Sequence, residues 1–145
     1  NLSETDCSGA KFNGADLDGC TFKKATLRKI DFSNRDLRDI KFSEADLRRA
    51  DLRKSNLKKV NFFKADLRKT LFTEANLTGA YLSSTLLEDT DFQWANLSKV
   101  VMRYSLNLTA AQIQSAKIDR ETKVPHYLKI YWISETDFRC KENSV

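Results

Sequence analysis

Proline and glycine, the residues that ordinarily bend a chain, are nearly missing: 145 residues hold one Pro and four Gly. Any frequent turning must therefore come from a repeated local pattern. A single histidine, His126, excludes a His-rich metal site. No run approaches the ~18 apolar residues of a membrane span, and no charged start leads into an apolar leader core. The expectation is a soluble protein with no membrane span. The chain opens on Asn1 instead of Met, which implies processing, tag removal or excision from a longer chain. The three cysteines, Cys7, Cys20 and Cys140, form no CxxC set; Cys7 occupies a centre of the repeat and Cys20 a small-residue position, so these two read as small buried apolar residues in preference to disulfide or metal partners. Their sparse, odd count points to a reducing, cytoplasmic compartment.

Catalytic signatures are equally scarce. There is no phosphate-binding loop, no GxGxxG, no nucleophile elbow and no kinase motif. The many Asp residues recur at one fixed place of a repeat, which makes them turn formers and not an acid/base pair. No catalytic, cofactor or metal site is expected, and His126 suits a surface or capping role.

What is present is a period of five. Phe42, Leu47, Leu52, Leu57, Phe62 and Leu67 stand five apart, and two places before each is something small: Ile40, Ala45, Ala50, Ser55, Val60 and Ala65. A strand would send alternate members of this set to opposite faces, and a helix would scatter them around its girth. The chain must turn once per repeat. The series runs unbroken from Cys7 through Phe12, Leu17 and Phe22 to Leu97 and Met102, with Leu2 already in phase. All the Phe centres, Phe12, Phe22, Phe32, Phe42, Phe62, Phe72 and Phe92, are separated by multiples of ten. Like residues stack on like only if a coil has an even number of sides. Two would leave no interior and six would leave a hole, so four sides of five residues remain.

The unit small residue, Asp or Asn, Leu or Phe, then two polar residues, as in Ala45-Asp46-Leu47-Arg48-Arg49, closely resembles that of the pentapeptide-repeat family. The resemblance implies an all-β fold, a right-handed quadrilateral parallel β-helix, here of about five coils. It further implies a carboxy-terminal end that forms a dimer interface in several relatives, so that monomer and carboxy-terminal dimer both stay open. Residues 1–6 read as an amino-terminal cap or irregular start, 7–104 as the β-helix and 105–145 as a capping segment with short helices. Within the cap, Thr109-Ala110-Ala111-Gln112 forms a capping box that predicts a helix over about 110–115. Leu108, Ile113 and Ile118 alternatively resume the period of five, shifted by one residue. Pro125 has the place of a first helical residue, and the aromatic stretch after it, with Tyr127, Leu128, Ile130, Tyr131 and Trp132, is the expected lid or dimer interface.

Arg35 breaks the pattern, because its neighbours in the stacked column are Ala15, Ser55, Ala75 and Ala95. Burying its guanidinium unpaired would cost several kcal/mol, so a bulge or an outward swing onto Asp36 or Asp39 is expected. Outward positions on one side are Arg28, Lys29, Arg48, Arg49, Arg68 and Lys69, a candidate docking stripe for an anionic partner, offset in part by Asp46, Asp51 and Asp66. A solvated surface is the plain alternative. The net charge of +5 allows contact with acidic partners, but with few exposed aromatics to stack on bases (Phe63, Trp94 and Tyr104 are candidates) a protein partner is favoured over nucleic acid. The same positive charge disfavours the imitation of DNA by which some pentapeptide-repeat proteins protect topoisomerases. The resulting expectation is a non-enzymatic scaffold or interaction module, with an anion-binding surface as the alternative.

Overall fold

The computed structural model describes residues 1–143, so Ser144 and Val145 of the expected cap lie outside the described residues. Parallel bridges join Asp6 to Thr26, Thr26 to Asp46, Asp46 to Asp66 and Asp66 to Leu86, a step of twenty residues each time. The same step recurs from starting points five apart, as in Lys41 to Asn61, Asp51 to Leu71 and Asn56 to Asn76. Twenty residues per circuit with four bridged sides make a square parallel β-helix.

Each corner is a β-turn closed by the centre's own carbonyl: Phe62 O accepts from Ala65 N at 2.8 Å and Leu47 O from Ala50 N at 2.9 Å. The third turn residue has φ near +60°, as at Arg49 (60°), Lys59 (59°) and Lys69 (60°). Only Gly9, Gly14, Gly19 and Gly79 supply the residue that suits this conformation. Elsewhere a side chain is held there at about 1–2 kcal/mol, offset by neighbouring hydrogen bonds. Where Asp or Asn precedes the centre its oxygen commonly makes one of them: Asn61 Oδ1 accepts from Phe63 N at 2.8 Å and Asp91 Oδ1 from Gln93 N at 2.8 Å.

The centres fill the tube. Leu47, Leu67, Leu87 and all Phe centres from Phe22 to Phe92 are fully buried. Phe22, Phe42 and Phe62 stack at 5.5 and 5.4 Å with rings within 9° of parallel. Phe72 and Phe92 stack likewise at 5.5 Å on the opposite side. The two columns meet across the interior, edge to face, where Phe62 and Phe72 lie 5.9 Å apart. The period of ten thus places aromatic rings on opposite walls, with the Leu columns between. Buried hydroxyls in the small slots find carbonyls: Thr70 Oγ1 donates to Leu47 O at 2.8 Å and Ser55 Oγ to Leu52 O at 2.6 Å.

Arg35 corrects one expectation. Its guanidinium neither meets Asp36 nor Asp39 but turns toward the coil below, donating from Nη1 to Phe12 O at 2.8 Å and from Nη2 to Ala15 O. Asp36 instead holds Arg38, at 2.7 Å. Two carbonyls at the first and fourth residues of one turn offer a fork-shaped donor more than one exposed carboxylate does. Among the described residues, bridges start at Asp6 and Thr21 but not at Lys11 or Asp16, where the guanidinium intervenes.

Stacking continues past Met102. Leu97 N donates to Lys117 O and Met102 N to Lys123 O, both at 2.7 Å. The bridge partners Asn96–Lys117 and Val101–Lys123 stand 21 and 22 residues apart, because the turn from Asp119 to Thr122 adds one residue to the one already inserted with helix α1 (Ala110–Gln114). Its capping box is formed by Thr109 and Gln112, and Ser115 is the C-cap. Leu108, Ile113 and Ile118 are buried, so the helix and the resumed apolar phase coexist. The carboxamide of Gln112 also donates to Leu87 O and Thr90 O, at 2.9 and 2.7 Å, covering carbonyls of the last regular coil.

A second correction concerns Pro125. It opens no helix; the chain beyond it forms strand β1 (Leu128–Trp132), paired antiparallel with β2 (Phe138–Glu142) in the register Ile130–Cys140. The β-branched and aromatic run Ile130-Tyr131-Trp132 favours an extended chain with alternating faces over the helical start that a lone proline suggests. No described helix is long and apolar enough to cross a membrane.

Candidate functional site

The six cations do share one face. Lys29 N donates to Arg48 O, Arg49 N to Arg68 O and Lys69 N to Glu88 O, at 3.1, 3.1 and 3.0 Å, so equivalent corners stand directly one above another. Their charges are not equally available. In each Asp-Leu-Arg triplet the arginine folds back over the leucine onto the aspartate two residues earlier. Arg48 grips Asp46 through Nε (2.9 Å) and Nη2 (2.8 Å), and Arg68 grips Asp66 at 2.9 and 2.6 Å. Arg28 has no aspartate of its own and reaches up to Asp46 Oδ2 at 2.6 Å, while Arg48 Nε lies 3.5 Å from Asp66 Oδ2. Arg28, Asp46, Arg48, Asp66 and Arg68 therefore form a ladder of alternating sign.

Asp46 sits at the centre of that ladder. Burial raises its pKa, but the hydrogen bonds from Arg48 and Arg28 and from the Arg48 backbone outweigh burial and hold it at about 2. Asp51 is lowered by its bond to Arg53, against an opposing effect of burial. What remains for an outside anion is Lys29 and Arg49, which have no ion-pair partner among the described residues, and Lys69, which reaches Asp89 at 3.8 Å. An open groove lies over the first of these, lined by Ser8, Gly9, Arg28, Lys29, Arg48 and Arg49.

The cap residues separate into two sets. Tyr127 rivets the lid to the last coil, its hydroxyl donating to Ser105 O at 2.8 Å and accepting from Leu108 N at 3.1 Å. Leu128 is buried and Ile130 and Trp132 are half-buried, while Tyr131 and Ile133 point outward. Arg120 lies over the Trp132 ring at 4.8 Å and Phe138 packs 5.7 Å from it. Only Tyr131 of the five therefore offers substantial free surface to a second copy.

A face distinct from the stripe carries Phe63 and Tyr104, which stand out in the sequence only as candidate exposed aromatics. It stacks Asn61, Tyr81 and Val101 by parallel bridges, with Phe63 against Tyr81 at 6.0 Å and Lys64 over Phe63 at 5.2 Å. The readable signal was the shared remainder on division by twenty. Among the described residues, no group of three or more His, Cys, Asp or Glu side chains is placed to hold a metal ion.

The model of the family described as pentapeptide repeats matches eight copies over residues 1–39, 36–68 and 65–103. Among solved structures, a pentapeptide repeat protein from the Arabidopsis thaliana thylakoid lumen is 32% identical, with a TM-score of 0.66 over 70% of this chain and 71% of its own. The pentapeptide repeat protein Rfr23 of the cyanobacterium Cyanothece 51142 is 25% identical, with a TM-score of 0.51 over 72% of this chain and 56% of its own. No curated protein sequence matches. With the repeat model spanning most of its length and its square coil built on that repeat, this chain belongs to the pentapeptide-repeat family.

Proposed function

We propose that this chain is a non-enzymatic scaffold that recognises another protein, built as a right-handed β-helix of about five coils over 7–104 and closed by the segment from 105. One observation carries the reading: on the four sides the backbone groups are spent on bridges between coils, so each side offers side chains alone on a rigid, flat support. Such surfaces recognise partners by charge and shape. The test is affinity capture with the intact protein, then direct binding of the purified captured partner. The same measurement is made with Arg28, Lys29, Arg48, Arg49, Arg68 and Lys69 neutralised. Absence of any partner that rebinds in purified form would sink the proposal.

The unpaired Lys29 and Arg49 support a second reading, an anion-binding stripe. Retention on duplex DNA or on anionic lipid vesicles at low salt, lost on Lys29→Glu with Arg49→Glu, is its expected result. Imitation of DNA is disfavoured by the net charge of +5, and inhibition of gyrase supercoiling would overturn that judgement. Association of two copies would use Tyr131 and the neighbouring Ile133, which remain exposed on the hairpin. Three free thiols suit a reducing compartment such as the cytoplasm, whereas the Arabidopsis relative is luminal.

A further inference from the structure

We infer that the face carrying Phe63, Lys64, Tyr81, Val101, Arg103 and Tyr104 is the docking surface for an acidic segment of a partner protein, one that presents apolar side chains beside its carboxylates. This rests on the reading of the molecule as an interaction module and names the side and the partner chemistry.

Over three consecutive coils this face, residues 61–64, 81–84 and 101–104, holds Lys64 and Arg103 and no acid. Among the described residues neither cation is ion-paired, in contrast to the arginines of the Asp-Leu-Arg ladder. The stripe selected by counting charges is largely self-neutralised, and this face is not. Beside the cations lies apolar surface: Tyr81 is 41% exposed, Tyr104 71%, and Val101 is half-buried between them.

Tyr104 takes the left-handed φ shared by the corners, at 61°, so its backbone belongs to the coil while its side chain is left largely outside the fold. Tyrosine and arginine together are the side chains that most often anchor protein interfaces.

One feature disfavours a single-stranded nucleic acid, and a second excludes strand addition as the way a peptide would bind. The Phe63 ring is already covered by Tyr81 and by the Lys64 ammonium, leaving it poorly placed to take a base. The backbone behind the face is bridged from Asn61 to Tyr81 to Val101, so an added strand has nothing to pair with. Recognition then falls to aromatic contact and to two cations that want carboxylates.

The test is selection of a random peptide library on the intact protein. Enriched peptides should combine Asp or Glu with Phe, Leu or Trp, and their binding should weaken with salt. Arg103→Glu or Tyr104→Ser should reduce that binding on the order of tenfold, with Lys64→Glu as a further variant. Lys29→Glu with Arg49→Glu on the neighbouring face should leave it unchanged, and thermal unfolding checks that each variant folds. Enriched peptides without acids, or tighter binding of an oligo-dT strand than of any selected peptide, overturn the inference. Loss confined to the Lys29 and Arg49 variant also overturns it while leaving the interaction-module reading standing. Failure to enrich any peptide overturns the inference and leaves the interaction-module reading to its own test by affinity capture.

Discussion

The guanidinium of Arg48 closes on the carboxylate of Asp46, two residues earlier in the chain, with Nη2 2.8 Å from Oδ2, while Arg28 of the preceding coil holds the same oxygen at 2.6 Å. One carboxylate thereby ties two coils. Its pKa is lowered to about 2, so the stabilisation is complete above the ordinary carboxylate range near pH 4 and is lost as pH falls towards 2. Thermal unfolding monitored against pH should show a falling midpoint across that window, and Asp46→Asn should flatten part of the fall. An unchanged profile in the variant would remove Asp46 from the account.

Arg35→Met keeps the length of the side chain and removes the fork, leaving Ala15 O without the guanidinium and Phe12 O with only its turn bond from Ala15 N. A cost of about 1–3 kcal/mol is expected, confined to the first coil. Amide exchange should quicken at Leu2 and Cys7, which bond to Thr21 and Thr26, while Leu67 and Leu87 stay protected. Uniform loss of protection would contradict a local role.

The aromatic columns leave little slack. Phe62→Ala should cost about 3–5 kcal/mol through the cavity between Phe42 and Phe72. Leu57→Phe, which puts a ring in a Leu column, should cost about 1–3 kcal/mol by overpacking. Chemical denaturation measures both, and a neutral Leu57→Phe would show that the alternation of Phe and Leu walls is dispensable.

Lys59 sits at φ +59° in a corner whose stacked neighbours include Gly19 and Gly79. Lys59→Gly should stabilise by roughly 0.5–1 kcal/mol, the relief of left-handed strain less the entropy of a freer unfolded chain. Lys59→Val should destabilise, since a β-branched residue resists that conformation. Equal midpoints for the two variants would refute the strain argument.

Burial, aided by Glu142, pushes the Cys140 thiol up to about 11, whereas Cys7 and Cys20 are half-buried near the amino-terminal end. Thiol labelling near neutral pH should proceed in two phases, with Cys140 the slow residue until the hairpin is unfolded. Rapid reaction of all three would mean that the lid opens readily.

Much of this architecture was legible because the repeat repeats. Leu47 and Leu67 face inward and the Phe residues stack, since a period of five closed on twenty admits few alternatives. The capping box at Thr109 and Gln112 was equally readable, being a local rule. Arg35 was not, because its partners are carbonyls 20 and 23 residues away, which no side-chain inventory names. Pro125 misled for a related reason: a proline permits a helix start without enforcing one, and β1 is decided by its pairing with Phe138–Glu142. In the stripe, each Asp-Leu-Arg triplet already contained its own counterion, and counting Arg and Lys alone overstated the free charge.

A square circuit of twenty residues also converts chain length into compass bearing. Excision of residues 56–60 would leave every later apolar centre facing inward, yet swing the rest of the chain by a quarter turn, setting Arg68 above Ser43 and sliding Phe62 into the Leu37 wall. Excision of a full circuit would shorten the rod and preserve each bearing. Insertions and deletions in such a molecule therefore act as rotations of its surface long before they act as lesions of its core.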